Sequence, residues 1–388
     1  MNNMNILILG AGRMGRAIAF DCIDQNDVDR VIVADRSEEQ IVKSLAGIED
    51  SKLHSAIVDV TNLQDVAALM DGNSVVISAV PYMFNLDLAK TAVETGCNFC
   101  DLGGNTDIVH EELKLHDEAV RKGVTVIPDC GLAPGMANAV SAYLIESFEE
   151  VESLKIRVGG LPLNPVPPLN YMQLFSVHGL LNEYLGDAVL LSDGEIKSVP
   201  ALSGLEELSI GDDYPEMEAF ITLGGTSTLP ETYKGKIKQL DYKTIRYKGH
   251  RDLIKAMFDI GLADTEEITI DNQTVIPQNV LAVLLEKNLP SSGKDVTLVK
   301  LEVSGIKAGK KIKETWDLVD HYDEDFKMTS MMRMTGYPAA IVGLMLGRGK
   351  TKGPGALPQE KALDLDLFVN ELKMRDINFK ISQEPIDD

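Results

Sequence analysis

The chain has 388 residues, 44% of them apolar and only 5% aromatic, the composition of an α/β protein too long for one hydrophobic core. Sixty acidic against 37 basic residues leave a net charge of −23, which argues against nucleic acid or an anionic membrane as partner. No apolar stretch approaches the roughly 20 residues of a membrane span, and the opening apolar run reads as a strand rather than a signal peptide. Four cysteines (Cys22, Cys97, Cys100, Cys130) imply no disulfide framework, so the expectation is a cytoplasmic protein. Cys97 and Cys100 enter a predicted strand, where i and i+3 side chains face opposite ways, and no metal is expected there.

The first predicted strand, Ile6–Leu9, runs straight into Gly10-Ala11-Gly12-Arg13-Met14-Gly15. A buried strand, G-x-G-x-x-G and then a helix form the dinucleotide-binding turn. Gly10 permits the tight turn, Gly12 lets backbone approach a pyrophosphate, and Gly15 lets the helix pack closely on the strand. Arg13 and Met14 complete the loop, whose helix N-terminus offers N–H donors to the phosphates. A second strand, Val31–Ala34, ends at Asp35, twenty residues after Gly15. A carboxylate there accepts hydrogen bonds from ribose hydroxyls and repels a 2′-phosphate, so NAD is favoured. Arg36 keeps NADP open, since it would pair with that phosphate if Asp35 turned away.

Predicted helices near 14–25, 38–47, 62–71, 84–95 and 107–122 alternate with strands near 54–59, 74–80, 98–102 and 124–128. The fold class is therefore α/β: an N-terminal Rossmann doubly wound parallel sheet, read here as six-stranded, over residues 1–132. Ligands in such sheets lie beyond the carboxyl ends of the strands. Asp59 and Val60 are expected to flank the adenine, and Ala79, Val80, Pro81 and Gly103 to border the nicotinamide ribose and ring. Asp129 ends the sixth strand.

From Ala133 the texture changes. Pro134 suits the first residue of a helix reaching about Ile145. A proline-rich bend (162–169) and alternating strands at 297–303 and 312–318 then imply a mixed α/β substrate domain over 133–334, expected also to form a homodimer interface. Pro338–Leu346 reads as a buried helix, opening a C-terminal helical segment (335–388) that returns to the first domain. In Tyr242–Tyr247 the period-two alternation puts Thr244 and Arg246 on one face and Lys243 on the other. A planar guanidinium on a rigid strand suits bidentate capture of a carboxylate. Alone, Arg246 reads more often as a salt-bridge partner than as a substrate clamp, and His250 more often as a helix cap or surface imidazole.

Several longer stretches resemble the saccharopine dehydrogenase-like family: Val76–Tyr82, Pro134-Gly135, Gly159–Pro162, Thr244–Gly249, Thr335–Pro338 and Lys352–Gly355. The resemblance implies a nicotinamide-linked enzyme acting on a carbon–nitrogen bond of a lysine-type substrate, with Tyr82 among its contacts. Saccharopine reductases in that family carry Asp at the position of Ala133, Asp-His at Ala137-Asn138, and an Arg near Gly224-Gly225. Losing that Arg removes a partner for the extra carboxylates of saccharopine. Pro165–Tyr171, Glu183-Tyr184 and Gly249-His250 instead resemble the lysine 6-dehydrogenase branch. That branch implies oxidative deamination of L-lysine at its ε-carbon. Arg246 would hold the α-carboxylate, with Thr244, Tyr171 and Asn138 as further contacts. His250 would serve as acid–base group, because imidazole titrates near neutrality, and Glu183 or Asp129 would hold the cation. A saccharopine or carboxynorspermidine dehydrogenase, and a non-catalytic NAD-binding regulator, are the alternatives.

Overall fold

In the computed structural model, which describes residues 4–386, the chain divides into two units. The first comprises residues 1–146, 227–229 and 332–378. It begins with β1 (Met4–Leu9), α1 (Arg13–Ile23), β2 (Val28–Asp35), α2 (Glu38–Leu45), β3 (Leu53–Ile57), α3 (Leu63–Met70), β4 (Val75–Ser78) and α4 (Asn85–Thr95). It continues through β5 (Asn98–Asp101), α5 (Thr106–Leu113), α6 (His116–Lys122), β6 (Thr125–Ile127) and α7 (Met136–Glu146). The strands form an all-parallel sheet in the order 6-5-4-1-2-3, reversing direction of growth between β1 and β4. The side chains of β1 from Ile6 to Leu9 and of β4 are fully buried, as central parallel strands with helices on both faces require. Each such aliphatic side chain contributes about 1.5–3 kcal/mol of burial.

Polar caps set the helix starts: Ser37 accepts from Gln40 N at 3.2 Å, and Asn105 from Asp107 N and Ile108 N at 3.1 and 3.2 Å. Four sequence expectations need correction. The sheet has seven strands, because Gly355–Ala356 adds in parallel to β6 through Thr125 and Val126. The helix expected over 107–122 breaks at Lys114-Leu115 into α5 and α6. Pro134 lies before α7 rather than inside it, and α7 belongs to the first unit. Finally, residues 379–388 join the second unit rather than returning to the first.

The second unit comprises residues 147–226, 230–331 and 379–388. Its elements are β7 (Glu150–Pro162), α8 (Val177–Tyr184), β8 (Asp187–Ser192), β9 (Glu195–Pro200), β10 (Glu206–Ile210), β11 (Tyr214–Ile221) and β12 (Gln239–Tyr247). Then come the helix His250–Asp259, the small hairpin 268–275, the helix Pro277–Asn288 and the long strands Asp295–Lys307 and Lys310–His321. The strands build a nine-stranded mixed sheet, in which β12 lies parallel to β7 and antiparallel to β11. The final strand, Lys380–Pro385, pairs with Lys310–His321 on its edge. Ala308 and Gly309, both at positive φ (50° and 69°), close the long hairpin with the turn handedness that matches strand twist.

Candidate active site

The first unit carries a dinucleotide cradle at the crevice between the ends of β1 and β4. Gly10 has φ +106°, and a Cβ on it would lie 2.8 Å from the Ala79 carbonyl oxygen. A Cβ on Gly15 would meet the Gly10 oxygen at 1.9 Å, so α1 packs against the turn only because neither position has a side chain. Space around Gly12 is open, with nothing within 4 Å of a Cβ there, as close approach of a pyrophosphate demands. Asp35 sits at the end of β2, where its two oxygens accept from Ala11 N (2.9 Å) and Ser37 N (3.0 Å). The carboxylate thus braces the glycine loop while each oxygen keeps a lone pair for a ribose hydroxyl. Arg36 and Arg13 are exposed, and Met14 is half-buried. Asp59 is fully exposed, and its carboxyl is held below its ordinary range by hydrogen bonds from Thr61, with a smaller pull from Arg36. Val60, Ala79 and Val80 are half-buried and Pro81 is exposed, while Tyr82 lies against Gly104, whose Cβ would touch its ring at 3.1 Å. Open backbone at Gly12, donors at the α1 N-terminus and an acceptor at Asp35 together fit a nicotinamide dinucleotide.

Beyond β5 and β6 the same unit buries a group of carboxyls. Asp101 accepts from Gly103 N at 2.6 Å, which fixes the loop that carries Gly103. Asp129, at φ +61°, presses so closely on that loop that a Cβ on Gly103 would lie 1.7 Å from its Oδ1. Ser227 Oγ donates to Asp129 Oδ2, and Gln359 Nε2 donates to the Asp129 carbonyl. Burial, and then the neighbouring Asp101 charge, push the Asp129 carboxyl up to about 8, partly offset by the Ser227 hydrogen bond. Glu112, buried beside Asp101, is pushed up to about 11 and is therefore a neutral acid near pH 7.

In the second unit the predicted period of β12 puts Arg246 at the centre of an aromatic box. Its Nε donates to Tyr184 Oη at 2.8 Å and its Nη1 to the Ile245 carbonyl at 3.0 Å. The guanidinium lies 5.0 Å from the Tyr171 ring centre and 5.7 Å from that of Tyr184, within cation–π range. Glu183 Oε2 stands 3.8 Å from Nη2, with 31% of its side chain exposed. Its surroundings are apolar enough that desolvation pushes its carboxyl up to about 7, against the pull of Arg246. On the opposite face Lys243 and Arg157 pair with Glu206, so the alternation separates a structural ion-pair network from the Arg246 cluster.

His250 belongs to this cluster but not in the role expected of it. Its Nδ1 lies 2.8 Å from the Leu169 carbonyl and must donate to it, which leaves Nε2 as acceptor of the Tyr184 hydroxyl at 3.1 Å. Burial, reinforced by the Arg246 charge, lowers the imidazole to about 3, so it stays neutral at physiological pH and is no acid–base group. Glu218 clamps the turn before it, accepting from Gly249 N (2.8 Å) and Arg251 N (2.7 Å). Thr244 shares the Arg246 face, yet its hydroxyl is bonded to Thr222 Oγ1 at 2.7 Å. Asn138 is in the first unit, where its side-chain oxygen accepts from Gly135 N at 3.0 Å to cap α7.

Sequence reasoning missed Tyr184 as the hub between Arg246 and His250, and Phe220, which stacks on His250 at 6.4 Å. It also missed Ser227 and Gln359, which reach Asp129 from 98 and 230 residues away along the chain. The doublet Glu183-Tyr184 carried some signal for the first of these; no local pattern marks the others.

The saccharopine dehydrogenase NADP binding domain pattern matches residues 6–127, and the saccharopine dehydrogenase C-terminal domain pattern matches residues 131–377. The carboxynorspermidine synthase of Vibrio cholerae is 24% identical, over 95% of this chain and 94% of its own. The L-glutamate-forming, NADP-dependent saccharopine dehydrogenase of Saccharomyces cerevisiae is 28% identical over 68% of this chain; the match spans 60% of that relative. The solved structure of apo saccharopine dehydrogenase (L-Glu forming) from Saccharomyces cerevisiae superposes with a TM-score of 0.80 at 21% identity, covering 98% of this chain and all of the other.

Proposed function

Because the chain belongs to the saccharopine dehydrogenase family, a group of NAD(P)-linked oxidoreductases of amino acids and polyamines, we propose that it oxidatively deaminates L-lysine at the ε-carbon, using NAD. The observation that carries the proposal is the Arg246–Glu183 pair: a buried guanidinium beside a partly exposed carboxyl, 3.8 Å apart, at the scale of one amino-acid head group. Arg246 takes the α-carboxylate, with its plane set by Tyr184 and the Ile245 carbonyl. Glu183 takes the α-ammonium. The Tyr171 ring lies against the guanidinium, and the His250 ring against Tyr171 at 5.6 Å.

Bound nicotinamide supplies the two-electron acceptor. Proton handling falls to Asp129, which adjoins the Gly103 loop and titrates at about 8. Its carboxylate accepts the ε-ammonium proton, freeing the nitrogen lone pair that drives loss of hydride from the ε-carbon. The protonated group then assists departure of ammonia after water adds to the imine. The product is allysine, which cyclises to piperideine-6-carboxylate.

A second reading is reductive coupling of an amine with an aldehyde, favoured by the match to carboxynorspermidine synthase over nearly the whole chain. Assays pairing NAD or NADP with lysine, saccharopine and diamines, with and without aldehyde, separate the two. The expected result is lysine-dependent NADH formation with one ammonia per NADH. Saccharopine oxidation without lysine turnover, or an absolute need for an aldehyde or 2-oxoglutarate in the reductive direction, would overturn the deaminating reading.

A further inference from the structure

Asp101 closes β5 and Glu112 lies in the last turn of α5; both are fully buried, and their carboxyls are in hydrogen-bonding contact. The chain between them carries Gly103 and Gly104. Asp101 Oδ1 is taken twice, by Gly103 N at 2.6 Å and by Asp129 N at 3.4 Å. Among the described residues no donor reaches Asp101 Oδ2 or either Glu112 oxygen while both side chains are ionised. Nor does any cation among them act on the pair: the titratable groups that face it are the Asp129 carboxyl and the neutral Cys130 thiol, with Glu360 beyond Asp129. Two bare carboxylates in contact away from water repel each other and leave acceptors unpaired. One proton between them removes the repulsion and creates a donor. Burial raises both groups. The N–H groups of Gly103 and Asp129 oppose the rise at Asp101, whereas the Asp101 and Asp129 charges add to it at Glu112, so the proton resides on Glu112.

We propose that Glu112 is a positioning residue: it keeps its proton and donates it to Asp101 Oδ2, which holds Asp101 as the anionic anchor of the Gly103 loop and fixes the charge beside Asp129. One buried hydrogen bond thus clasps the end of β5 to the end of α5. The Asp101 charge is second only to burial in raising Asp129, so Glu112 sets the pH at which Asp129 ionises. Without the donor, the Asp101 anion is less stable and takes a proton at higher pH. A neutral Asp101 no longer repels the Asp129 carboxylate, which then ionises at lower pH. The bearing on turnover rests on the deaminating reading above, in which Asp129 exchanges the proton.

The test is infrared difference spectroscopy of the full chain, wild type against Glu112→Gln, with the Asp129 titration followed in the bands that Asp129→Asn removes. The expected result is a carboxylic-acid C=O band that persists in the wild type through neutral and mildly alkaline pH and is missing from Glu112→Gln. The amide of that variant still donates to Asp101, so Asp129 should titrate as in the wild type. Glu112→Leu has no donor and should move the Asp129 titration to lower pH by about one pH unit. Absence of the acid band overturns the proposal, as does an Asp129 titration that moves equally in both variants or in neither. If Glu112→Leu does not fold, the acid band and an unmoved Asp129 in Glu112→Gln carry the decision. Lysine turnover is measured separately. Turnover without the acid band sinks the clasp alone; the band and the displaced titration without turnover sink the deaminating reading and leave the clasp standing.

Discussion

Arg246→Lys keeps the positive charge and removes the fork. In the wild type two guanidinium N–H groups are committed to Tyr184 Oη (2.8 Å) and the Ile245 carbonyl (3.0 Å), which hold the plane with Nη2 3.8 Å from Glu183 Oε2. An ammonium has no plane to fix and does not reproduce that geometry at a carboxylate. Losing one charge-assisted, bidentate contact in a buried setting costs about 2–3 kcal/mol of transition-state binding. That predicts a fall of roughly 30- to 150-fold in kcat/KM for lysine. Cadaverine carries the reacting amine but no carboxylate, so its kcat/KM should change by no more than about threefold. The assay is steady-state NADH formation with both substrates, with the thermal midpoint of each protein as a check on folding. Equal losses for lysine and cadaverine would refute the reasoning and make Arg246 a structural residue.

Tyr184→Phe removes the hydroxyl shared by Arg246 and His250 while keeping the ring; it should cost about 2 kcal/mol of stability by chemical denaturation and raise the KM for lysine more than it lowers kcat. Oxidation should accelerate as pH rises through about 8, because Asp129 accepts a proton only once ionised; Asp129→Asn should abolish both that limb of the pH–rate profile and most of the activity, and an unchanged limb would remove Asp129 from proton transfer. Asp35→Ala takes away the brace on Ala11 N as well as the ribose acceptor, so it should weaken NAD and narrow its advantage over NADP. A wild-type enzyme that already reduces NADP faster than NAD at subsaturating levels would show that Arg36 outweighs Asp35.

The parallel sheet and the dinucleotide turn were legible because both are local. Strand, glycine spacing and Asp35 follow from backbone sterics within about forty residues, and the structure puts Gly10 and Gly15 in the close contacts those sterics require. The facing of Arg246 and Thr244 followed from strand periodicity alone. Tertiary structure decided what those side chains do. His250 carries nothing in its neighbouring residues that says its two ring nitrogens will meet Leu169 and Tyr184, yet those partners and its burial remove it from acid–base work. Asp129 is an ordinary loop aspartate in the sequence, and is pushed up to about 8 only when the fold buries it beside Asp101, with Ser227 offsetting part of the rise. The seventh strand, two residues long at Gly355-Ala356, has no period to read and exists because β6 offers a free edge. Periodicity and turn chemistry are properties of neighbours along the chain. Desolvation, charge coupling and edge pairing are properties of neighbours in space, and the sequence by itself does not contain them.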